Sequence, residues 1–186
     1  MIRTLYPLFQ KWSENGSIWI ISDTHFEDPD CKLMDENWPS PEEYIEGIKG
    51  VGKNDTVIHL GDVGNAEWIS RIKGYKVLIM GNHDESASRF KDYFHEIYTG
   101  PLTIAEKIIL SHEPMHVRGM LNIHGHEHNK DYPKAIDRFN CAANVVGYKK
   151  INLATDIINK GYLSQITSLH RQAIEKQKHP IMATLD

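Results

Sequence analysis

Cysteine is scarce in this chain of 186 residues: Cys31 and Cys141 stand alone, with no Cys-x-x-Cys spacing. No disulfide framework and no thiolate zinc site can be built from them, and a reducing, cytoplasmic setting is the expectation. Long apolar runs are also missing. The N-terminal MIRTLYPLFQKW breaks its short apolar run at Pro7 and closes it at Lys11, and no stretch reaches the eighteen or so residues a membrane helix needs, so neither a secretory leader nor a membrane span is expected. Nor does one charge dominate. Lys and Arg number 21 against 25 Asp and Glu, a net charge of −4, which excludes a uniformly basic nucleic-acid coat and argues against stable nucleic-acid binding. Gly 13 and Pro 8 lie far below collagenous or low-complexity levels, so the 40% hydrophobic content is expected to form one core, a single domain over 1–186. What the chain does have in excess is histidine, with 11 residues.

Several short apolar runs lack polar alternation and read as strands covered on both faces: 17–22 (SIWIIS), 56–60 (TVIHL), 75–80 (YKVLIM), 107–111 (KIILS) and 121–124 (LNIH). Helical patterns lie between them. Ser40-Pro41-Glu42-Glu43 is a helix start with a serine cap, proline at the first position and glutamate three after the cap, ending at Gly50 or Gly52. A second helix is expected from Asn65 to Gly74, and a third from Ser86 with Phe90, Phe94 and Ile97 on its apolar stripe. Residues 102–104 and 107–110 read as a hairpin around Ala105 and Glu106. Residues 139–146 and 149–153 read as edge strands around Gly147, and 163–186 as a C-terminal helix and tail. This alternation of strand and helix predicts a layered α/β fold.

The chemistry-bearing residues follow the strands. Asp23-x-His25 comes after the first, Gly61-Asp62 after the second, Gly81-Asn82-His83-Asp84 after the third, His112 after the fourth, and Gly125-His126-x-His128 after the fifth. In an open α/β sheet the carboxyl ends share one rim where ligands bind, so segments a hundred residues apart converge there. Asp and Asn oxygens mixed with imidazoles suit Mn, Fe, Zn or Co. Seven donors exceed the need of one ion. Two ions sharing a carboxylate, about 3.5–4 Å apart, would use them all. Gly61, Gly81 and Gly125 each precede an expected ligand, where the lack of a Cβ permits close backbone approach.

In this order the five blocks, spanning 23–128, resemble those of the calcineurin-like metallophosphoesterase superfamily. That resemblance implies an α-β-β-α fold, two packed sheets flanked by helices. It implies one divalent ion held by Asp23, His25, Asp62 and His128, and a second held by Asp62, Asn82, His112 and His126, with Mn the ion expected to serve in vitro. Asn82 would ligate through its carbonyl oxygen. His83 would protonate the leaving alkoxide or stabilise charge on the phosphoryl oxygens. The nucleophile would be a hydroxide bridging the ions, with no covalent phosphoenzyme. Asp84 has two readings: it orients the His83 imidazole, or it caps the helix near Ser86. The implied activity is hydrolysis of a small phosphoester, a nucleotide among the candidates, as phosphatase or phosphodiesterase. The alternatives are an inert binding scaffold of the same fold and a small nuclease.

Other polar residues receive plainer readings. His59 and His124 sit inside apolar runs as buried, hydrogen-bonded histidines, while His95, His170 and His179 are solvated. His116 and Arg118 read as an exposed loop in preference to a phosphate contact. Trp38 and Pro39 read as a packed loop in preference to a wall for a base or sugar, and the segment 28–38 is expected to supply specificity. Arg171, Lys176 and Lys178 read as a solvated helix face.

Overall fold

The apolar runs divide their side chains between two layers, which is why they carry no polar alternation. In a computed structural model that describes residues 3–4, 12, 16–104, 107–131 and 135–166, ten strands are present: β1 (Arg3–Thr4), β2 (Ile18–Ile21), β3 (Thr56–His59), β4 (Tyr75–Ile79), β5 (Glu96–Tyr98), β6 (Leu102–Ile104), β7 (Ile108–Leu110), β8 (Leu121–His124), β9 (Arg138–Asn140) and β10 (Ile151–Asn152). They form two five-stranded sheets, ordered β1-β6-β7-β8-β9 and β10-β2-β3-β4-β5. In the second sheet β2, β3, β4 and β5 run parallel, and β10 closes the edge antiparallel to β2.

Ile18, Ile20, Ile58, Leu60, Val77 and Ile79 pack against Leu102, Ile104, Ile108, Leu110, Leu121 and Ile123 of the other sheet. Their neighbours Ile21, Val57 and Leu78 belong to a second cluster with Phe26, Trp38, Tyr44 and Ile69. Burial of each such aliphatic side chain contributes about 1.5–3 kcal/mol, so the strands flanking the site are among the best anchored elements. The expected α/β fold of two packed sheets flanked by helices is the fold observed.

The helix Pro41–Gly47 has the expected capping box: Ser40 Oγ accepts from the Glu43 backbone N–H at 3.2 Å, and the Glu43 carboxylate accepts from the Ser40 N–H at 2.8 Å. It ends at Gly47, before Gly50. The stretch after Asn65 is a 3-10 helix over Ala66–Arg71, tighter and shorter than expected, with the Asn65 side chain capping it. The third expected helix is absent. Only Ala87–Arg89 forms a 3-10 turn, and Ile97 instead lies on β5, where it pairs with Leu78. Phe90 and Phe94 do share a face, but the ladder offered by the β4 edge outcompetes local helix propensity. The two late strands also differ from expectation. They are shorter, and β9 and β10 edge different sheets. The 102–104 and 107–110 hairpin is observed as β6 antiparallel to β7, although Ala105 and Glu106 lie outside the described residues. So does most of the expected C-terminal helix, of which 162–166 are helical. Among the described residues no helix is long and apolar enough to cross a membrane.

Candidate metal centre

Past the ends of β2 and β3 the two loops remain zipped together. Asp23 N–H donates to Gly61 O at 2.9 Å, His25 N–H to Asp62 O at 3.1 Å, and Phe26 N–H to Val63 O at 3.0 Å. This brings the first two sequence blocks side by side. The rim is not that of one open sheet, as expected, but is shared: β2, β3 and β4 supply Asp23, His25, Asp62 and Asn82, while β7 and β8 of the other sheet supply His112, His126 and His128. The sheets are laced at this point, because His126 N–H donates to both Asp23 oxygens at 2.9 and 3.1 Å.

The backbone here is strained in a pattern that tracks the donors. Asp23, His25, Asp62 and His126 have φ of 51°, 41°, 57° and 68°. Such left-handed conformations cost side-chain-bearing residues on the order of 1–3 kcal/mol each and persist where surrounding contacts over-determine them. Glycine permits the tight approach. A Cβ on Gly125 would collide with the Ser22 hydroxyl and the Asp23 carboxylate, and one on Gly81 would strike Asp62 Oδ1.

Two donor sets result: Asp23, His25 and His128 in one, and Asp62, His112 and His126 in the other, with ligand atoms in each set within 4.8 Å of one another. Asp62 Oδ2 lies 3.7 Å from His25 Nε2 and 3.2 Å from His112 Nε2, so a single carboxylate oxygen faces both sets. Asn82 Oδ1 joins the second set at 2.8 Å from His112 Nε2 and 3.0 Å from His126 Nδ1. In the first set His128 Nε2 is 3.6 Å from Asp23 Oδ1. Donors about 2.1 Å from a common ion would be roughly 3.0–3.4 Å apart, close to this range. The structure therefore brings all seven expected ligands together.

The donors fit divalent ions in chemistry as well as spacing. His25 Nε2 is buried without a hydrogen-bond partner, whereas its Nδ1 is 3.1 Å from Asp28 Oδ2. That carboxylate fixes the proton on Nδ1 and leaves the Nε2 lone pair pointing into the site. His112 Nδ1 donates to Leu60 O at 2.8 Å and His128 Nδ1 to Asn144 Oδ1 at 3.1 Å, the same device twice more. Burial pushes the Asp23 carboxyl up to about 6, against the favourable pull of His112 and Ser22, so a carboxylate at this depth calls for positive charge beside it. Burial also opposes ionisation of Asp62, but the hydrogen bond from a protonated His112 and its charge outweigh it and hold this carboxyl at about 2. The same pairing, against burial, raises the His112 pKa, so a metal ion there would displace the Nε2 proton. Burial lowers the His128 pKa, favouring the neutral, ligating imidazole.

His83 lies at the exposed mouth, its ring centroid 5.7 Å from that of His25, and its backbone N–H donates to Asp62 Oδ1 at 2.9 Å. Asp84 is corrected on both readings. Its carboxylate accepts from the backbone N–H groups of Asp62 (2.9 Å), Val63 (3.0 Å) and Gly81 (2.8 Å). Three amides converge on this buried group, which pins the Asp62 loop to the Gly81 turn and neither orients the His83 imidazole nor caps the helical turn after Ser86.

Trp38 is 4% exposed, its ring edge-on to His25 at 5.9 Å and tilted on His128 at 5.7 Å, so it props two imidazoles instead of walling a base. His59 and His124 are buried histidines as expected, lowered by burial to about 3 and about 4. His116 is exposed and paired with Asp137. Sequence reading missed Asn144 as a partner of His128, for which no motif gives a signal. It also missed Asp28 as a partner of His25, which the three-residue spacing allows.

A solved structure shares this fold. A protein of unknown function from Aquifex aeolicus superposes with a TM-score of 0.65 at 26% identity, over 77% of this chain and 98% of that one. A nuclease from Pseudomonas putida matches at 19% identity and a TM-score of 0.39, over 59% of this chain and 60% of that one. No curated protein matches the chain. The profile of the calcineurin-like phosphoesterases matches residues 16–147, which takes in both loops of the zipped rim and every donor gathered there. The match covers well over half of the sequence, and the chain belongs to the calcineurin-like phosphoesterase family.

Proposed function

We propose that this protein hydrolyses small phosphoesters at a dinuclear centre built on Asp62. The observation that carries this reading is the shared oxygen, Asp62 Oδ2, facing His25 Nε2 at 3.7 Å and His112 Nε2 at 3.2 Å. Asp23, His25, Asp62 and His128 would hold one ion, and Asp62, Asn82, His112 and His126 the other. Mn, Fe, Zn and Co all suit such a donor set. When bound, the pair would polarise the phosphoryl oxygens and make hydroxide available near neutral pH.

The chain's own groups do the rest. His83 stands at the open mouth, where a leaving oxygen can reach its imidazole, and donates the proton that oxygen needs. Its backbone N–H meanwhile keeps Asp62 Oδ1 turned away from the shared position. Asp84 positions Asp62 through the backbone, and Asp28, Asn144 and the Leu60 carbonyl set the tautomers of three imidazoles. Both cysteines are buried and free, in keeping with a reducing compartment.

The test is removal of metal with a chelator, reconstitution with Mn, and assay on bis(4-nitrophenyl) phosphate and 4-nitrophenyl phosphate. Turnover that vanishes with chelation and returns with Mn is expected, and the ester that reacts assigns diesterase or phosphatase. A protein that binds no metal and hydrolyses neither compound would instead be an inert scaffold. Asp28→Ala should weaken Mn binding roughly 10–100-fold, as loss of an outer partner of a ligating histidine does. Calorimetric titration measures it, and unchanged affinity would remove Asp28 from the account.

A further inference from the structure

A groove of about 400 Å³ opens directly beside Asn82 and His112, between the turn at Thr99–Pro101 and the segment Ser111–Met115. Its walls are half-buried Met80, Pro101, Pro114 and Met115, over the buried Ile79. Among the described residues no lysine or arginine lines it, and the one lining carboxylate is that of exposed Glu113. The walls are fixed before any ligand arrives. Met80 N–H donates to Tyr98 O at 2.9 Å, Met115 N–H to Asn122 Oδ1 at 2.6 Å, and buried Asn122 is itself anchored through Nδ2 to Ile109 O and Ser111 Oγ. Proline at 101 and 114 stiffens both sides. The Ser111 hydroxyl is spent on Glu113 O.

Resting on the phosphoesterase reading above, we infer that this groove receives the organic substituent of the substrate, and that this substituent is uncharged and apolar. Beyond the edge that Asn82 and His112 form, a second phosphate or a carboxylate would meet no described lysine or arginine and would face Glu113. An aromatic or aliphatic group would bury against two thioethers and two pyrrolidines, and methionine sulfur favours contact with rings. Substrates of the class R–O–phosphate with neutral, hydrophobic R are therefore selected over those whose R carries a second phosphate or a carboxylate.

Inhibition constants of methylphosphonate, phenylphosphonate and 4-carboxyphenylphosphonate against the Mn-loaded protein test this, together with NMR of methyl-labelled methionine in the diamagnetic Zn-loaded protein. Phenylphosphonate should bind roughly tenfold more tightly than methylphosphonate, 4-carboxyphenylphosphonate should bind more weakly than phenylphosphonate, and the Met80 and Met115 methyl resonances should shift with the phenyl ligand. Met115→Ala should remove most of the phenyl preference while leaving Mn content unchanged. Met80→Ala is the second variant should the first fail to fold, and Glu113→Lys should improve 4-carboxyphenylphosphonate binding. Equal affinity for the three phosphonates, or unmoved methionine resonances, would overturn the groove assignment while hydrolysis itself stood. A protein that neither binds Mn nor turns over an ester would overturn the catalytic reading and this inference with it.

Discussion

Replacing Asp62 with asparagine is expected to empty both metal positions and to lower kcat/KM by at least roughly 10³-fold, beyond the loss of about 10–100-fold typical of an outer partner. The reason lies in which oxygen is already engaged. Asp62 Oδ1 accepts the His83 backbone N–H at 2.9 Å, so an asparagine keeps its one carbonyl oxygen there. Its amide nitrogen then falls at the shared position, where it has protons to offer and no lone pair. Two imidazole nitrogens at 3.7 and 3.2 Å from that point lose their common anion. Elemental analysis and turnover should fall together, with circular dichroism reporting that the sheets survive. A variant that retains both ions would show that Asp62 is not the bridge.

Changing His83 to alanine should behave differently, lowering kcat by roughly 10²–10⁴-fold with metal content intact. The backbone N–H that steadies Asp62 remains in the variant, and the imidazole makes no hydrogen bond to the donor sets. If the ring acts as a proton donor, the loss depends on the leaving group. A 4-nitrophenyl ester departs without a proton, so its hydrolysis should suffer least, and a phenyl or alkyl ester most. An equal loss across that series, or a loss of metal, would make His83 a structural residue.

How much of this was readable beforehand varies with the range of the interaction that decides it. The strands β2, β3, β4, β7 and β8 were legible because burial on both faces leaves continuous apolar runs. The capping box at Ser40 was legible because it is a four-residue device. The donors were legible as a set because each stands immediately after such a strand. β5 was not. The 90–97 stretch carries a helical repeat, and only the neighbouring edge of β4 makes Ile97 a strand residue, a tertiary effect that no local pattern encodes. Residues 139–146 and 149–153 likewise read as edge strands around Gly147, because no local pattern says which of the two sheets claims each. At the site, the seven expected donors come together, but the distant partners that aim them carry no signal in the sequence pattern. Asn144 and Trp38 reach His128 through space, and Asp84 reaches Asp62 through amides 21 and 22 residues away. Adjacency to His83 in the chain pointed to the wrong partner for Asp84, because a carboxylate next to a turn satisfies backbone N–H groups first.

Electron paramagnetic resonance of the wild-type protein, titrated with manganese to saturation, tests the shared aspartate most directly. Two manganese ions per chain with an exchange-coupled signal are expected, since ions joined through one oxygen sense each other's spins. A single ion, or two with the spectrum of isolated manganese, would contradict a centre organised around Asp62.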